Sequence, residues 1–357
     1  MTITKAYKVR LYPTKEQQEL MIKTFGCTRF VYNKALHICQ ETYRASKRLV
    51  FYDELSKMLT FWKTTEELCF LKEVDKFALQ NSLRNLKKAF TNMKGGSGYP
   101  NYKSKHDHYD SYTTQPTNNN ISVDNTYIKL PKLGHVRYRD KKTPRGKICN
   151  VTISRTPSGR FYASVCVETD DIKVLQMTDG RIGIDLGIKD FCAMSNHEKI
   201  ENPHFLENAL QKIKKTQREL SRKTKGSSNW EKNRIRLARL YEKAANQKRD
   251  FLEKLSTRIV SENDFICIED LNVSGMVKNH NLAQSIFSVS WSEFTDKLMY
   301  KAEWYGKTVI KVDRFYPSSQ ICSACGYRNP LIKDLSIREC DCPVCGEHHD
   351  RDINASI

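Results

Sequence analysis

The sequence predicts an α+β multidomain protein, and three changes of pattern along the chain lead to this prediction. Apolar residues recur at helical spacing up to about residue 93, and from about residue 121 they alternate with polar residues as in β-strands. From about residue 180 strands alternate with helices, which is typical of an α/β domain. The 357 residues suffice for two or three compact domains, and 39% of them are hydrophobic, so each domain can form a core.

The first region combines one strand with a block of helices. Residues 7–12 alternate apolar with mostly basic side chains, which predicts a short strand. Thr14 and Gln17 have the spacing of a capping box and mark the start of a helix. Helices follow, and the segment "KGGSGYPNYKSK" ends them as a basic loop that carries aromatic residues.

The second region predicts an antiparallel sheet or a small barrel. Its strand segments are "ISVDNTYIKL", "HVRYRD", "NVTISR" and "YASVCVE", and the last two flank the turn "TPSG". The strand at 7–12 can complete this sheet, which makes the helical block an insertion.

The third region predicts an α/β domain. The segment "RIGIDLGIKDFCAMS" predicts two successive strands, and "FICIED" and "TVIKVD" predict two more. Between them a long helical hairpin is expected over 205–260, with Ser228 and Glu231 as the capping box of its second helix. A further helix from about residue 290 carries aromatic residues at core spacing and ends at Gly306.

The charge of the chain points to a polyanionic partner. A net charge of +19 and an isoelectric point near 9.3 favour nucleic acid ahead of a membrane surface. Residues 205–260 hold 16 Lys and Arg against 6 Asp and Glu, so 16 − 6 = +10 of that charge lies in the hairpin. Because this excess has one sign, phosphate contact explains it better than a solvated helix face does.

The chain is expected to act inside the cell, without a membrane. No apolar run approaches the roughly 18 residues of a membrane helix, and the N-terminus has no signal-peptide core. A cytoplasmic location is therefore expected.

Three acids occupy positions where a charge is costly. Asp185 lies inside "IGIDLGI", Glu269 closes "FICIE" and Asp352 follows a cysteine pair. Buried carboxylates are usually paired, protonated or bound to metal. Three carboxylates on separate elements suit Mg²⁺-dependent phosphodiester hydrolysis. In that arrangement Asp185 would bridge two ions, and Glu269 and Asp352 would each complete the ligand set of one ion. Spacing alone leaves open that they are scattered structural acids.

The cysteines separate into two groups. Five crowd between 322 and 345, and the other seven lie singly in apolar contexts that favour reduced, buried packing: Cys27, Cys39, Cys69, Cys149, Cys166, Cys192 and Cys267. Two pairs of C-x₂-C spacing enclose 16 residues and predict one closed, structural zinc site on Cys322, Cys325, Cys342 and Cys345. Cys340 can compete with Cys342, and His348 and His349 are weaker rivals.

From residue 5 to its end the sequence resembles the TnpB family of transposon-encoded proteins. The ordered motifs that carry this resemblance are "AYKVRLYPTKEQQELMIKTFGCTRFVYNKAL", "GYPNYKSK", "IKLPKLGHVRYR", "GIDLGIKDF", "IEDLNVSGM", "SVSWSEFTDKLMYKAEWYGKTVIKVDRFYPSSQICSACG" and "DRDINAS". TnpB-like proteins are RNA-guided DNA endonucleases and compact relatives of the type V CRISPR effectors.

The resemblance implies an N-terminal wedge β-barrel with a helical recognition insert. A RuvC-type nuclease domain of RNase H-like α/β fold follows, interrupted by a four-cysteine zinc module. The implied boundaries are 1–14 for the first barrel strand, 15–118 for the insert, 119–179 for the rest of the barrel, 180–314 for the nuclease with its hairpin at 205–260, 315–348 for the zinc-bearing target-nucleic-acid-binding module and 349–357 for the last nuclease segment.

The resemblance also implies the active-site residues and the partners. Asp185, Glu269 and Asp352 match the catalytic acids that hold two Mg²⁺ ions, and Asp352 rather than Asp350 is selected because the ligand stands two residues before Asn354. The partners are a guide RNA from the transposon end and double-stranded target DNA, which is cut beside a short flanking motif. The prokaryotic cytoplasm is the implied location.

Three alternative functions agree less well with the sequence. A nuclease-inactive RNA-guided repressor typically loses one of the acids, and all three are present. A Tyr-type strand transferase needs a His-x-His motif with a partner Tyr, which is not evident. A plain zinc-ribbon DNA-binding protein leaves Asp185 and Glu269 without a purpose in their apolar strands.

Overall fold

The computed structural model describes residues 2–107, 110–139, 143–170, 174–276, 290–314, 316–334 and 336–357. The chain forms two compact units, 1–171 and 172–357. Residue 315, where the zinc module is predicted to begin, lies outside the described residues.

A seven-stranded antiparallel sheet forms the centre of the first unit. Its strands are β1 (Ile3–Tyr12), β2 (Asp110–Thr114), β3 (Ser122–Val123), β4 (Tyr127–Leu130), β5 (Gly134–Arg139), β6 (Lys147–Arg155) and β7 (Phe161–Thr169). They are arranged in the order β2-β6-β7-β1-β5-β4-β3. The predicted N-terminal strand therefore lies in the middle of the sheet, where it pairs with β7 along Ile3–Leu11 and with β5.

Helices occupy the sequence between β1 and β2. They are α1 (Lys15–Ser46), α2 (Tyr52–Trp62) and α3 (Lys76–Lys94), with short 3₁₀ turns at Glu66–Lys72 and Lys105–Asp107. The predicted capping box of α1 is confirmed, since Gln17 N donates to Thr14 Oγ1 at 3.3 Å and Thr14 N donates to Gln17 Oε1 at 3.1 Å. The three helices share a core of buried aliphatic residues, and α1 and α3 also pack on the sheet through Met21, Phe25 and Ala78.

Strand β2 is a finding that the hydrophobic pattern did not predict. It lies within the range expected to be a helical insert, yet it pairs with β6 from Asp110↔Arg155 to Thr114↔Val151. Asp110 is buried at the start of this strand, and Arg29 and Arg155 hold its carboxylate at 3.1 and 2.7 Å. The other residues of the strand are polar except Tyr112, which is buried in the core with its ring centroid 5.6 Å from that of Phe25. Core packing of Tyr112, the ion pairs of Asp110 and the backbone hydrogen bonds together hold the strand.

The second unit contains a five-stranded mixed sheet in the order β10-β9-β8-β11-β12. Its strands are β8 (Arg181–Leu186), β9 (Asp190–Met194), β10 (Lys199–Glu201), β11 (Phe265–Glu269) and β12 (Thr308–Val312). The predicted hairpin of β8 and β9 is antiparallel, whereas β11 runs parallel to both β8 and β12. The alternation of strands and helices thus produced the parallel pairs that an α/β domain requires.

The second unit also contains helices, some packed on this sheet and one packed on its neighbouring helix. They are α4 (Phe205–Ser221), α5 (Ser228–Glu262), α6 (Val273–Met276), α7 (Trp291–Tyr305) and α8 (Arg351–Ser356). The predicted basic hairpin is α4 and α5, although the side chain that caps α5 belongs to Ser227, not Ser228, and accepts from Trp230 N at 3.1 Å. In α7, Trp291, Phe294 and Leu298 are buried in the core, and Gly306 ends the helix in the left-handed region at φ 72° as expected.

The cysteine-rich segment forms a small module in the same unit. It contains the hairpin of β13 (Glu339–Asp341) and β14 (His348–Asp350) and 3₁₀ turns at Ser318–Gln320 and Pro330–Lys333. All twelve cysteines are free thiols. The expectation of buried packing is wrong for Cys69, which is exposed, and only partly right for the half-buried Cys149, Cys166 and Cys267. Among the described residues, no helix is long and apolar enough to cross a membrane.

Candidate active site

Asp185 and Glu269 lie next to each other at the carboxyl ends of two parallel strands. The β8–β11 register pairs Ile184 with Ile268, so the residues that follow each of them come to the same edge of the sheet. The isoleucines alternate into the core and anchor both strands. Asp185 and Glu269 are half-buried and line one cleft of about 700 Å³ together with Ser195.

The electrostatics of this edge are those of crowded carboxylates. Burial, followed by the charges of Glu269 and Asp352, raises the pKa of Asp185 to about 7, and Arg351 opposes this only in part. Burial also raises the pKa of Glu269. Within the described part of the chain, neither carboxylate forms a salt bridge. A cation bound beside Asp185 would therefore favour its ionised form.

Asp352 and Asp350 differ in what their side chains contact. Asp350 is the N-cap of α8, accepting from Asp352 N and Ile353 N at 3.1 Å, and it also accepts from Lys199 Nζ at 2.6 Å. Burial opposes ionisation, but the Lys199 bond and the backbone amides hold the pKa of Asp350 below its usual value. Among the residues that the structure describes, the carboxylate of Asp352 has a single ion-pair contact, 3.6 Å from Arg338 Nη1.

Asp270, the neighbour of Glu269, is likewise engaged. It pairs with Arg314 at 2.7 Å and with Lys311 at 3.9 Å. The two acids most easily confused with the predicted ligands thus have cationic partners.

The three acids converge less tightly than the four cysteines do. Among the described residues, they do not form a set whose ligand atoms all lie within 4.8 Å of one another. Two ions about 4 Å apart take ligands from opposite sides, so the outer carboxylates need not touch each other. Hard carboxylate oxygens are also the donors that Mg²⁺ prefers. Asp185, Glu269 and Asp352 fit such a pair by donor chemistry.

The four predicted zinc ligands do converge. The Sγ atoms of Cys322, Cys325, Cys342 and Cys345 all lie within 4.8 Å of one another. The Cys322–Cys345 and Cys325–Cys342 sulfurs are 3.6 Å apart, close to the edge of about 3.8 Å that Zn–S bonds of 2.3 Å give a tetrahedron.

The local backbone prepares these thiols for a metal. Gly326 N and Gly346 N donate to the carbonyls of Cys322 and Cys342, and both glycines have φ 75°, which suits the turn after each C-x₂-C pair. Backbone amides of Cys345 and Val344 lower the pKa of Cys342 to about 6. Against a backbone hydrogen bond at Glu347, burial and the contacts with the other three sulfurs raise the pKa of Cys345 to about 12, so without a metal the negative charge lies on Cys342. The four thiols fit one tetrahedral metal ion.

The rival ligands have other contacts. Cys340 stays outside the converging set and faces His349 across the β13–β14 hairpin. His348 is exposed and bonds Asp341 Oδ1 at 2.7 Å. His349 is buried, and its Nε2 lies 3.0 Å from Cys322 Sγ.

Several residues that position the Asp352 segment were not predicted from the sequence. Lys199 holds Asp350, and Arg351 donates to Asp334 O at 2.6 Å. Asn354 accepts from Ser323 N at 2.9 Å and donates to Ile321 O at 2.7 Å. Arg351 and Asn354 lie inside the "DRDINAS" motif, which was the available signal, whereas nothing in the local sequence marks Lys199.

The mixed α/β sheet and the four-cysteine module define a class, the multidomain α/β proteins that carry a cysteine-based metal module. A family described as "Probable transposase" matches residues 164–280, and one described as "Cas12f1-like, TNB domain" matches 291–357. A "Helix-turn-helix domain" family matches 1–48, where the structure has β1 followed by one uninterrupted helix, α1.

Curated relatives share nearly the whole chain. A protein of Streptomyces pristinaespiralis is 40% identical over 99% of this chain and 88% of its own length. InsQ of Escherichia coli K12 is 31% identical over 98% and 90%. Both carry names that describe RNA-guided DNA endonucleases. The chain belongs to the TnpB family, as its motifs indicated.

A solved structure supports the fold class. The cryo-EM structure of a Cas12f1–sgRNA–target DNA complex matches 99% of this chain and 98% of that one with a TM-score of 0.57 at 14% identity. The predicted α+β multidomain fold is confirmed.

Proposed function

We propose that this chain cleaves guide-matched double-stranded DNA beside a short flanking motif, with Asp185, Glu269 and Asp352 as the metal-binding acids of a RuvC-type site. The chain is an RNA-guided DNA endonuclease of a transposon, because relatives so named align along almost all of it. The observation that carries the catalytic part is the edge where Asp185 and Glu269 end adjacent parallel strands within the field of Asp352.

The three acids have different roles in metal binding at this edge of the sheet. Asp185 would touch both Mg²⁺ ions, and Glu269 and Asp352 would each complete the shell of one. Such a pair supplies an activated water and stabilises the leaving oxygen of the cleaved phosphodiester. The reaction requires ionised Asp185, and bound dications would offset the burial and the neighbouring carboxylate charges that otherwise keep its pKa high.

The basic hairpin is proposed to hold nucleic acid by its backbone. On α4 and the turn that follows, seven basic residues are exposed, and none forms a salt bridge within the described residues: Lys212, Lys214, Lys215, Arg218, Arg222, Lys223 and Lys225. Sequence reading is left to base pairing between the guide RNA, taken from the transposon end, and the target strand. The cysteine module is proposed to hold one structural Zn²⁺ ion.

A plasmid-cleavage experiment tests the function. The chain is co-expressed with RNA from its transposon end, and the complex is incubated with guide-matched targets that carry randomised flanking bases. Cleavage should require the guide and Mg²⁺, and EDTA should abolish it. Asp185→Ala, Glu269→Ala and Asp352→Ala should each lower the rate by about 10³-fold or more without weakening target binding.

Asp270→Asn is the matched control for these variants. It neutralises the residue beside Glu269, which pairs with Arg314 near the surface, and should leave the rate within about threefold of the wild type. If the wild-type complex bound the target without cleaving it, the function would be that of a guided repressor and not of a nuclease.

A further inference from the structure

The segment that carries Asp352 is attached to the first C-x₂-C turn of the zinc module. Three side-chain contacts make this attachment: His349 Nε2 lies 3.0 Å from Cys322 Sγ, Asn354 Oδ1 accepts from Ser323 N at 2.9 Å, and Asn354 Nδ2 donates to Ile321 O at 2.7 Å. Residues 349 and 354 flank Asp352 on both sides. The position of this acid therefore depends on the shape of the turn at 321–323.

The His349 contact is unusual because it reaches a metal-binding sulfur. The ring is buried, and Cys322 is buried as well. Four thiolates around one Zn²⁺ ion leave a net charge of 2 − 4 = −2, which is costly in a buried site unless N–H groups donate to the sulfurs. A neutral imidazole carries one N–H, and the 3.0 Å separation of His349 Nε2 from Cys322 Sγ allows the Nε2–H tautomer to donate to the sulfur.

The geometry argues that His349 is not itself a ligand. The four sulfurs already form a closed set with the spacing of a tetrahedron, which leaves no open position. Within the described residues His349 Nε2 has a recorded contact with one of these sulfurs only.

We propose that His349 donates its Nε2–H to the Cys322 thiolate and is thereby a positioning residue that couples the zinc site to Asp352. Zinc holds the turn, the turn holds His349 and Asn354, and these two residues fix the start of α8. Loss of zinc then displaces a catalytic acid, although zinc takes no part in the reaction. This inference rests on the proposed roles of the zinc site and Asp352.

Zinc retention by the full-length chain, in complex with its guide RNA, tests the first half of the proposal. Purified wild type, His349→Phe and His349→Gln are exposed to graded chelators, and bound zinc is counted. His349→Phe should lose zinc at chelator strengths about tenfold or more lower, the range for lost outer-shell hydrogen bonds. His349→Gln keeps an N–H at similar reach and should recover most of the retention.

The adjacent histidine gives a matched control. His348 is exposed and bonds Asp341, so His348→Phe should retain zinc like the wild type. Cobalt-substituted wild type and His349→Phe should both show the spectrum of a four-sulfur site. A nitrogen-containing ligand set that disappears in His349→Phe would make His349 a ligand and overturn the proposal, as would unchanged zinc retention.

Hydrogen exchange tests the second half without any variant. Removing zinc from the wild type should accelerate exchange of the backbone amides of α8 at least tenfold, and unchanged exchange there would overturn the coupling. The Mg²⁺ concentration for half-maximal cleavage should rise in His349→Phe, while bound-target affinity stays the same. Because zinc retention and amide exchange need no cleavage, they remain interpretable if the proposed nuclease function fails.

Discussion

Single residues decide which carboxylates are available to a metal. Asp350 caps a helix and accepts a hydrogen bond from Lys199, and Asp270 forms a salt bridge with Arg314. Asp185 and Glu269 have no salt bridge within the described residues, and both have raised pKa values. Spacing alone could not make this distinction, because it depends on partners that are distant in sequence.

The raised pKa of Asp185 predicts a pH-dependent stability of the metal-free chain. An ordinary Asp in the unfolded chain titrates near 3.8, while in the fold the value is about 7. The unfolded state therefore releases its proton first, and stability falls as the pH rises from about 4 to about 7. Asp185→Asn mimics the protonated form and should stabilise the chain at pH 8 by roughly 2–4 kcal/mol, because one pKa unit is about 1.4 kcal/mol.

Thermal melts at several pH values measure this effect. The gain from Asp185→Asn should shrink towards pH 4 and should also shrink when Mg²⁺ is added at pH 8, since the metal stabilises only the ionised wild type. Equal gains at pH 4 and pH 8 would contradict an elevated pKa.

At the scale of elements, the contact between β8 and α8 sets how near Asp352 comes to Asp185. A Cβ added to Gly183 would lie 1.8 Å from the carbonyl oxygen of Ser356, which is a backbone atom and cannot rotate away. Gly183→Ala should therefore push α8 from the sheet and destabilise the second unit by about 2 kcal/mol or more. A displacement of about 1 Å at a catalytic group can lower the rate by about 10²-fold, so cleavage should suffer more than binding.

Gly26→Ala is the comparison for this variant. Gly26 lies within α1, and a Cβ there would meet no atom within 4 Å. The substitution should stabilise the helix by up to about 1 kcal/mol and leave cleavage unchanged. If Gly183→Ala cleaved as fast as Gly26→Ala, α8 would not need its close approach to β8.

The elements also show what the sequence could predict. Apolar patterns predicted β8, β9, β11 and β12. Core residues alternate in β8 and β11, whereas β9 is a continuous buried run and β12 packs on the core through the half-buried Val309. The mostly polar residues of β2 gave no such pattern. This strand depends on pairing with β6 and on the ion pairs of Asp110, whose partners are distant in sequence. The cysteine spacing predicted the converging thiols. The contact of His349 with Cys322 depends on the folded hairpin, and from the sequence His349 was identified only as a rival ligand.

At the scale of the whole molecule, the distribution of positive charge determines where nucleic acid is attracted. The net charge of +19 is unevenly placed, and the hairpin of α4 and α5 carries paired as well as unpaired basic residues. On α5, Lys254 and Arg258 pair with Asp250 and Glu198 at 2.6 and 2.9 Å. On α4, Lys214 and Lys215 are exposed without a salt bridge to any described residue.

This difference predicts which lysines bind phosphate. Each phosphate contact releases condensed counterions, so the logarithm of the affinity falls with the logarithm of the salt concentration by about 0.7–0.9 per contact. The double variant Lys214→Gln, Lys215→Gln should therefore lower the magnitude of the slope for target binding by about 1–2, with unchanged discrimination between matched and mismatched targets. Lys254→Gln, Arg258→Gln removes the same charge from ion-paired positions and should change the slope by less than about half as much. Equal slope changes for both variants would mean that the field of the whole hairpin, rather than contacts of its exposed α4 face, attracts the nucleic acid.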